Sequence, residues 1–377
     1  MQIYVVKQGD SIDAISQAFH EPVAEIAFDN QIFPPYRLAV GQALLINSDQ
    51  TNETRKTIVA NGYAYPFIDP QILANTLPFL TSVSVFSYGF TPEGELIPPE
   101  VEDVWMINEA DRFSVMAILT LTPFGEDGKF NNALISALVN SPPAQERLFY
   151  QLAETMAEKG FRGLDIDFEY ILAEDKDAFS DFVREAVQKM NELGYPVSVA
   201  LAPKISDDQV GTLYEGKDYQ AIGAAANSVL LMTYEWGYKY GENMAVAPLH
   251  KVREVLEYAV TVIPHTKIDL GIPNYGYDWP LPWIRGETEA ETIGNIEAVQ
   301  IAVEHGAEIQ FDEVAMSPFF RYEKEGIEHE VWFEDVRSMK AKFELMEEYD
   351  LRGCGYWQLM RWFRANWLLL ADTFWIV

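Results

Sequence analysis

Gly160-Phe161-Arg162-Gly163-Leu164-Asp165-Ile166-Asp167-Phe168-Glu169-Tyr170 is the stretch on which the reading of this 377-residue chain turns. Side chains alternate faces along a strand, so Asp165, Asp167 and Glu169 point one way, and Leu164, Ile166 and Phe168 the other. An apolar face of that kind belongs under covering helices. Three acids on the opposite face cannot all ionise at close range, and crowding them is a means of raising one carboxyl pKa toward neutrality. An acidic edge strand with a solvated face would not carry Leu, Ile and Phe behind it.

Around this stretch, short apolar runs alternate with helical patterns. The expected strands are Thr57–Ala60, Ser82–Phe86, Ser114–Leu119, Gly163–Phe168, Val197–Leu201, Ser228–Met232, Ile268–Ile272 and Gly353–Trp357. Amphipathic helices are expected between them, among them Ala144–Lys159, Lys176–Leu193 and Val252–Val262. Eight strands with intervening helices fit an α/β (β/α)8 TIM barrel, in which chemistry sits at the C-terminal strand ends and therefore at Glu169. A doubly wound sheet is the structural competitor, but neither GxGxxG nor GxxxxGK[ST] occurs. Residues from about 280 to 335 are long for one βα connection and read as a small α+β insertion between strands 7 and 8.

The first 47 residues have a different pattern: strand Ile3–Val6, turn Gly9-Asp10-Ser11, a helix with Ile12, Ile15 and Phe19 on one face, a second helix after Pro22, and a closing strand Ala43–Ile46. Residues 48–55 are polar and read as a linker to the catalytic barrel at 56–377.

Composition narrows the function. Acidic residues number 58 and basic ones 27, a formal net charge of −31, which repels nucleic-acid phosphates. No apolar run reaches a membrane span of roughly 20 residues, so membrane insertion is not expected, and the N-terminus shows no secretory pattern. One cysteine, Cys354, leaves no disulfide framework. The histidines make no close metal spacing, and neither a metal nor a cofactor is expected. His329 is expected to pack rather than catalyse. With 9 Trp and 19 Tyr the chain has aromatics to stack on sugars, Trp236, Tyr238, Trp279 and Trp332 among them.

The N-terminal unit, through Tyr4–Ile12, Ile15, Asn30 and Val40–Ile46, resembles a LysM module, a family that binds N-acetylglucosamine glycans. The resemblance implies a groove between two loops, with Gly9, Asp10, Ser11, Ile12, Asn30 and Ile32 as glycan-binding residues. Gly163-x-Asp165-x-Asp167-x-Glu169 resembles the DxxDxDxE signature of family-18 glycoside hydrolases, with Arg162 in place of its first acid. Leu231-Met232-Thr233-Tyr234-Glu235, Gly271–Gly276 and Tyr356-Trp357 resemble the motifs on strands 6, 7 and 8 of that family.

The family resemblance implies substrate-assisted retaining cleavage. Glu169 is the expected acid and base, Asp167 orients the acetamido group, Asp165 tunes Asp167, and Tyr234 bonds the acetamido oxygen. Trp357, Met232, Glu235, Tyr88, Asn274 and Tyr275 are the expected substrate-binding residues. The combination with LysM resembles spore enzymes that degrade cortex peptidoglycan, which implies a spore or cell-wall location and peptidoglycan as partner. A chitinase, or a glycan-binding coat protein without activity, stays open; retention of Asp167, Glu169 and Tyr234 together argues against the latter.

Overall fold

A computed structural model of the chain describes residues 1–47, 55–125 and 130–377. The linker expected at 48–55 therefore lies, except for Arg55, outside the described residues.

Eight parallel strands close a barrel: β1 Lys56–Ala64, β2 Ser82–Phe90, β3 Met116–Leu121, β4 Gly163–Ile166, β5 Val197–Leu201, β6 Ser228–Leu231, β7 Ile268–Pro273 and β8 Gly353–Trp357. Each pairs with its successor, and β8 pairs with β1, so no barrel edge is left open. Two short segments extend the sheet: Leu96–Ile97 pairs antiparallel with the end of β2, and Phe374–Ile376 runs parallel to β1.

The entry into β4 shows how local sequence sets the geometry. Helix Pro142–Lys159 starts on prolines, whose fixed φ suits a first turn. It ends at Gly160, whose φ of +90° closes the helix through a bond from its N–H to Met156 O. The chain then enters the barrel. Leu164, Ile166 and Phe168 are buried on the outer face. Phe168 lies 5.8 Å from Phe182, 5.9 Å from Phe179 and 5.4 Å from Phe90, which locks the strand end under helix Lys176–Glu192. The same alternation turns Asp165 into the barrel interior, where it is fully buried. Arg162 sits before the strand at the opposite end, exposed and 3.7 Å from Asp111, far from any chemistry at the C-terminal rim.

Between β7 and β8 the chain builds an insertion around a five-stranded antiparallel sheet, in the order Glu291–Ile293, Gly276–Pro280, Ile327–Trp332, Ser317–Lys324, Gln310–Asp312. It starts at Gly276, ahead of the expected boundary near 280. Helix Asn295–His305 covers one sheet face through Ala298 and Ala302 against Phe320 and Val331. The other face presents Tyr277 and Trp332 beside the barrel's Trp357.

The N-terminal module has strands Gln2–Val5 and Ala43–Ile46 paired antiparallel around helices Ile12–Phe19 and Val23–Asp29. Ser11 caps the first helix, accepting from Ala14 N at 3.2 Å. The module is docked on the barrel domain. Gln31 donates to Trp362 O (3.2 Å) and accepts from Arg364 N (2.7 Å), Arg364 pairs with Asp29 at 2.8 Å, and Ile309 N donates to Val40 O at 2.8 Å. Cys354 is wholly buried in β8, and burial pushes its thiol far up. No helix among the described residues is long and apolar enough to cross a membrane.

Candidate active site

The three acids of the opening stretch stand in a row that climbs out of the barrel. Asp165 lies within β4; Asp167 and Glu169 follow just beyond the strand, at its C-terminal end. Asp165 is unexposed, Asp167 is 5% exposed, and Glu169 is half-buried, so access to solvent grows along the row.

Asp165 accepts from Ser198 Oγ at 2.6 Å and from Tyr63 Oη at 3.0 Å. Burial pushes its carboxyl up to about 6 against those two donors, with the charge of Asp269 adding to the rise. Asp167 is pushed far above the usual carboxylate range, first by burial, then by the charges of Glu169 and Asp165. Its Oδ1 has no hydrogen-bond partner among the described residues. Such an acceptor is free for a donor on a ligand. Burial also raises Glu169, the condition for a carboxyl that must hold a proton near neutrality. Both effects are opposed by Lys217, which is buried nearby.

Tyr234 follows β6, half-buried; burial and the charge of Asp167 push its hydroxyl well up, so it remains a donor at any working pH. Glu235 beside it has φ +67°, a left-handed conformation uncommon for a residue with a Cβ. The hydroxyls of Tyr275 and of Tyr277, the latter at 2.9 Å, both donate to Glu235 Oε1 and hold it there. Desolvation still outweighs these donors and raises its pKa. Trp357 closes the floor at the end of β8, half-buried, its ring 4.8 Å from Phe86, 6.0 Å from Tyr63 and 6.1 Å from Tyr65. Met232, also half-buried, packs with the same aromatic group.

Several expected positions have other duties. Tyr88 is not in the cleft. It is fully buried on the outer side of β2, with Lys159 Nζ at 3.0 Å and its hydroxyl donating to Asp103. The register of β2 against β3 slips between Val85 and Tyr88, and a one-residue slip turns a side chain to the opposite face. Asn274 is 1% exposed; its Nδ2 donates to Gln358 O (3.0 Å) and Arg361 O (2.8 Å), so it fastens the segment after Trp357, while its Oδ1 has no partner among the described residues. Tyr275 is buried and acts on Glu235. Trp279 is unexposed, with its indole N–H on Gly241 O, and has no face for a sugar.

In the N-terminal module, Asn30 spends its side chain internally. Its Nδ2 donates to Ile26 O and Leu45 O, and its Oδ1 accepts from Leu45 N at 2.7 Å. Ile12 and Ile32 are core residues. Gly9 and Ser11 are exposed, and Asp10 is half-buried, accepting from Tyr4 Oη and Lys7 N.

Two residues of the site carry no sequence signal of their own. Tyr63 reaches Asp165 from β1, and Lys217 approaches from the loop between β5 and helix Tyr219–Ala225. Both are brought in by barrel closure. Among the described residues no group of His, Cys, Asp or Glu could hold a metal ion.

Known proteins are similar to the chain over its whole length. The model for glycosyl hydrolases family 18 matches residues 118–361, and the LysM domain model matches residues 4–47. The chain is 39% identical to the "Cortical fragment-lytic enzyme" of Bacillus subtilis (strain 168), over 100% of this chain and 99% of that protein. The crystal structure of the Bacillus megaterium QM B1551 spore cortex-lytic enzyme SleL superposes with a TM-score of 0.93 at 33% identity, covering 100% of this chain and 98% of that one. A chitinase from Chromobacterium violaceum ATCC 12472, at 24% identity and a TM-score of 0.76 over 84% of this chain and 98% of its own, shares the fold. Family model, sequence relatives and solved structures agree, and the chain belongs to the glycosyl hydrolases of family 18, carried behind a LysM module.

Proposed function

We propose that this glycosidase cleaves N-acetylglucosaminyl bonds of spore cortex peptidoglycan, by retaining, substrate-assisted catalysis. The observation that carries the reading is the graded row Asp165, Asp167, Glu169, with the unpartnered Asp167 Oδ1 directly before the half-exposed Glu169. The similarity to cortical fragment-lytic enzymes over the whole chain supports the choice of polymer.

The chemistry follows from where protons can reside. Glu169, raised by burial, gives its proton to the glycosidic oxygen. The carbonyl oxygen of the sugar's own 2-acetamido group attacks the anomeric carbon as the leaving sugar departs, which forms an oxazolinium ion; family-18 enzymes are exceptions to the two-carboxylate scheme in this respect. Asp167 accepts from the acetamido N–H through its free oxygen and stabilises the positive charge. Tyr234 donates to the acetamido oxygen. Glu169, now ionised, takes a proton from the water that opens the ring. Asp165 steadies Asp167 from below, and Trp357 stacks under the sugar. Met232 and Glu235 line the cleft beside them.

The LysM module is assigned to glycan capture through Gly9, Asp10 and Ser11, and the protein to the spore cortex or coat. Mass spectrometry of products from cortex fragments and from chitin oligomers, side by side, tests the reading. Release of N-acetylglucosamine reducing ends from cortex in preference to chitin is expected; faster cleavage of chitin would make the chain a chitinase, and binding without products a lectin.

A further inference from the structure

Lys217 is 0% exposed, and its Nζ has no hydrogen-bond partner among the described residues. Burying an ammonium costs several kcal/mol (order of magnitude), so such a group persists only where charge nearby compensates it. Its backbone is fixed from several directions. Its N–H donates to Tyr214 O at 3.1 Å, and its carbonyl accepts from the buried Lys204 Nζ at 2.9 Å. The preceding Gly216 presses on the segment after β4: a Cβ there would stand 2.2 Å from Ile171 O. Ile171 follows Glu169 by two positions, so the loop carrying Lys217 is seated on the segment carrying the acid.

Glu169 and Asp167 are the negative charges that act on this buried ammonium, with Lys204 as the like charge on its own loop. Other groups also face that carboxylate pair. Asp165 approaches from β4, Tyr63 from the body of β1 and Tyr65 from just beyond it, Tyr234 and Glu235 from beyond β6, and Tyr170 from beside Glu169. Behind Asp165 stands Asp269 of β7, which is paired with Arg352. Within this set Lys217 is the cation that acts on Asp167 and Glu169.

The reaction requires one proton and one negative charge on the Asp167–Glu169 pair. Burial alone favours two protons and no charge, because it penalises every ionised form. A fixed cation acting on both carboxyls offsets one negative charge, which makes the singly protonated pair the resting state. We propose that Lys217 is a positioning residue that holds the Asp167–Glu169 pair in the singly ionised form needed for cleavage, without touching the sugar. The inference rests on the preceding assignment of Glu169 as acid and Asp167 as the acetamido partner.

The test is kcat and KM against pH on soluble cortex peptidoglycan fragments, for the wild type and for Lys217→Met, Lys217→Arg and Glu169→Gln. Methionine keeps the length and removes the charge. The acidic limb of kcat/KM should move up by about 1–3 pH units in Lys217→Met, with KM within about twofold of wild type, because Lys217 makes no sugar contact. Lys217→Arg should return the limb toward its wild-type place. A folded Lys217→Met whose limb does not move overturns the inference, since packing alone changes stability or kcat and leaves the limb where it was.

If Lys217→Met does not fold, the Cε signal of Lys217 can be followed against pH in carbon-13-labelled wild type and in the double variant Asp167→Asn/Glu169→Gln, with Lys217→Arg identifying it. Its titration should fall by about one unit or more when both carboxyls, and with them the charge of the pair, are removed; identical titrations overturn the inference. The Glu169→Gln control separates the two readings. Hydrolysis by that variant would remove the acid assignment itself, whereas an inactive Glu169→Gln with an unmoved Lys217→Met limb removes only the role of Lys217.

Discussion

Residue by residue, the site is a problem of buried charge. Glu169→Gln keeps the shape of the acid and removes its proton. Turnover of cortex fragments should fall by at least about a hundredfold, the lower range for general acid–base catalysis, while binding measured by calorimetry persists. Unchanged hydrolysis would end the assignment. Asp165 bears on stability. Its pKa is about 6 in the folded chain against an ordinary 3.8, so between those values the folded state binds more protons than the unfolded one. Stability from this group is therefore present at low pH, declines as pH rises through about 6 and stays lower above it, a deficit of about 3 kcal/mol at most for a shift of that size. Asp165→Asn should melt higher than wild type at pH 7, show little difference at pH 4, and be much less active; equal melting temperatures at both pH values would contradict this account. The acids were legible in the sequence because alternation along a strand is local. Tyr63 and Lys217 were not, because barrel closure brings them in from segments remote in sequence. Tyr88, expected in the cleft from the family resemblance, lies outside it, beyond a register slip of β2 that no local pattern in the sequence marks.

Among the elements, patterns confined to single strands and helices translate well. Val197–Leu201 and Gly353–Trp357 have the bounds read from the sequence, and Lys176–Glu192 is one residue shorter than read. The insertion is less legible. Its sheet begins at Gly276 directly after β7, so the apolar run of the barrel strand passes almost unbroken into the aromatic strand Gly276–Pro280. The closing strand Phe374–Ile376 gave no signal, since three residues show no period. β8 links closure to chemistry. At its start Gly353 meets β1 so closely that a Cβ would stand 1.9 Å from Val59 O, and at its end stands Trp357. Gly353→Ala should therefore force β1 and β8 apart, lower the melting temperature by several degrees, and weaken affinity for N-acetylglucosamine oligomers. A variant with wild-type stability and affinity would show that the barrel yields there without cost.

At the scale of the molecule, a net charge of −31 is set against a polymer that itself carries carboxylates. Like charges raise the work of approach, and salt screens it, with a Debye length of about 30 Å at 0.01 M and about 8 Å at 0.15 M. Initial rates on insoluble cortex should rise as sodium chloride increases over that range, while rates on neutral N-acetylglucosamine oligomers hold steady; a fall on cortex would point to attraction that the composition conceals. The docking of the LysM module through Gln31, Arg364 and Asp29 makes module and barrel present their faces together. This interface could not be read from sequence, since its members lie more than 300 positions apart.

The sealed thiol of Cys354 has a practical use. With the chain's one native sulfhydryl out of reach of reagents, a cysteine introduced at an exposed point such as Tyr170, next to Glu169 in the chain, would accept a fluorophore alone. Occupancy of the cleft could then be followed by fluorescence in a protein whose own cysteine need not be removed.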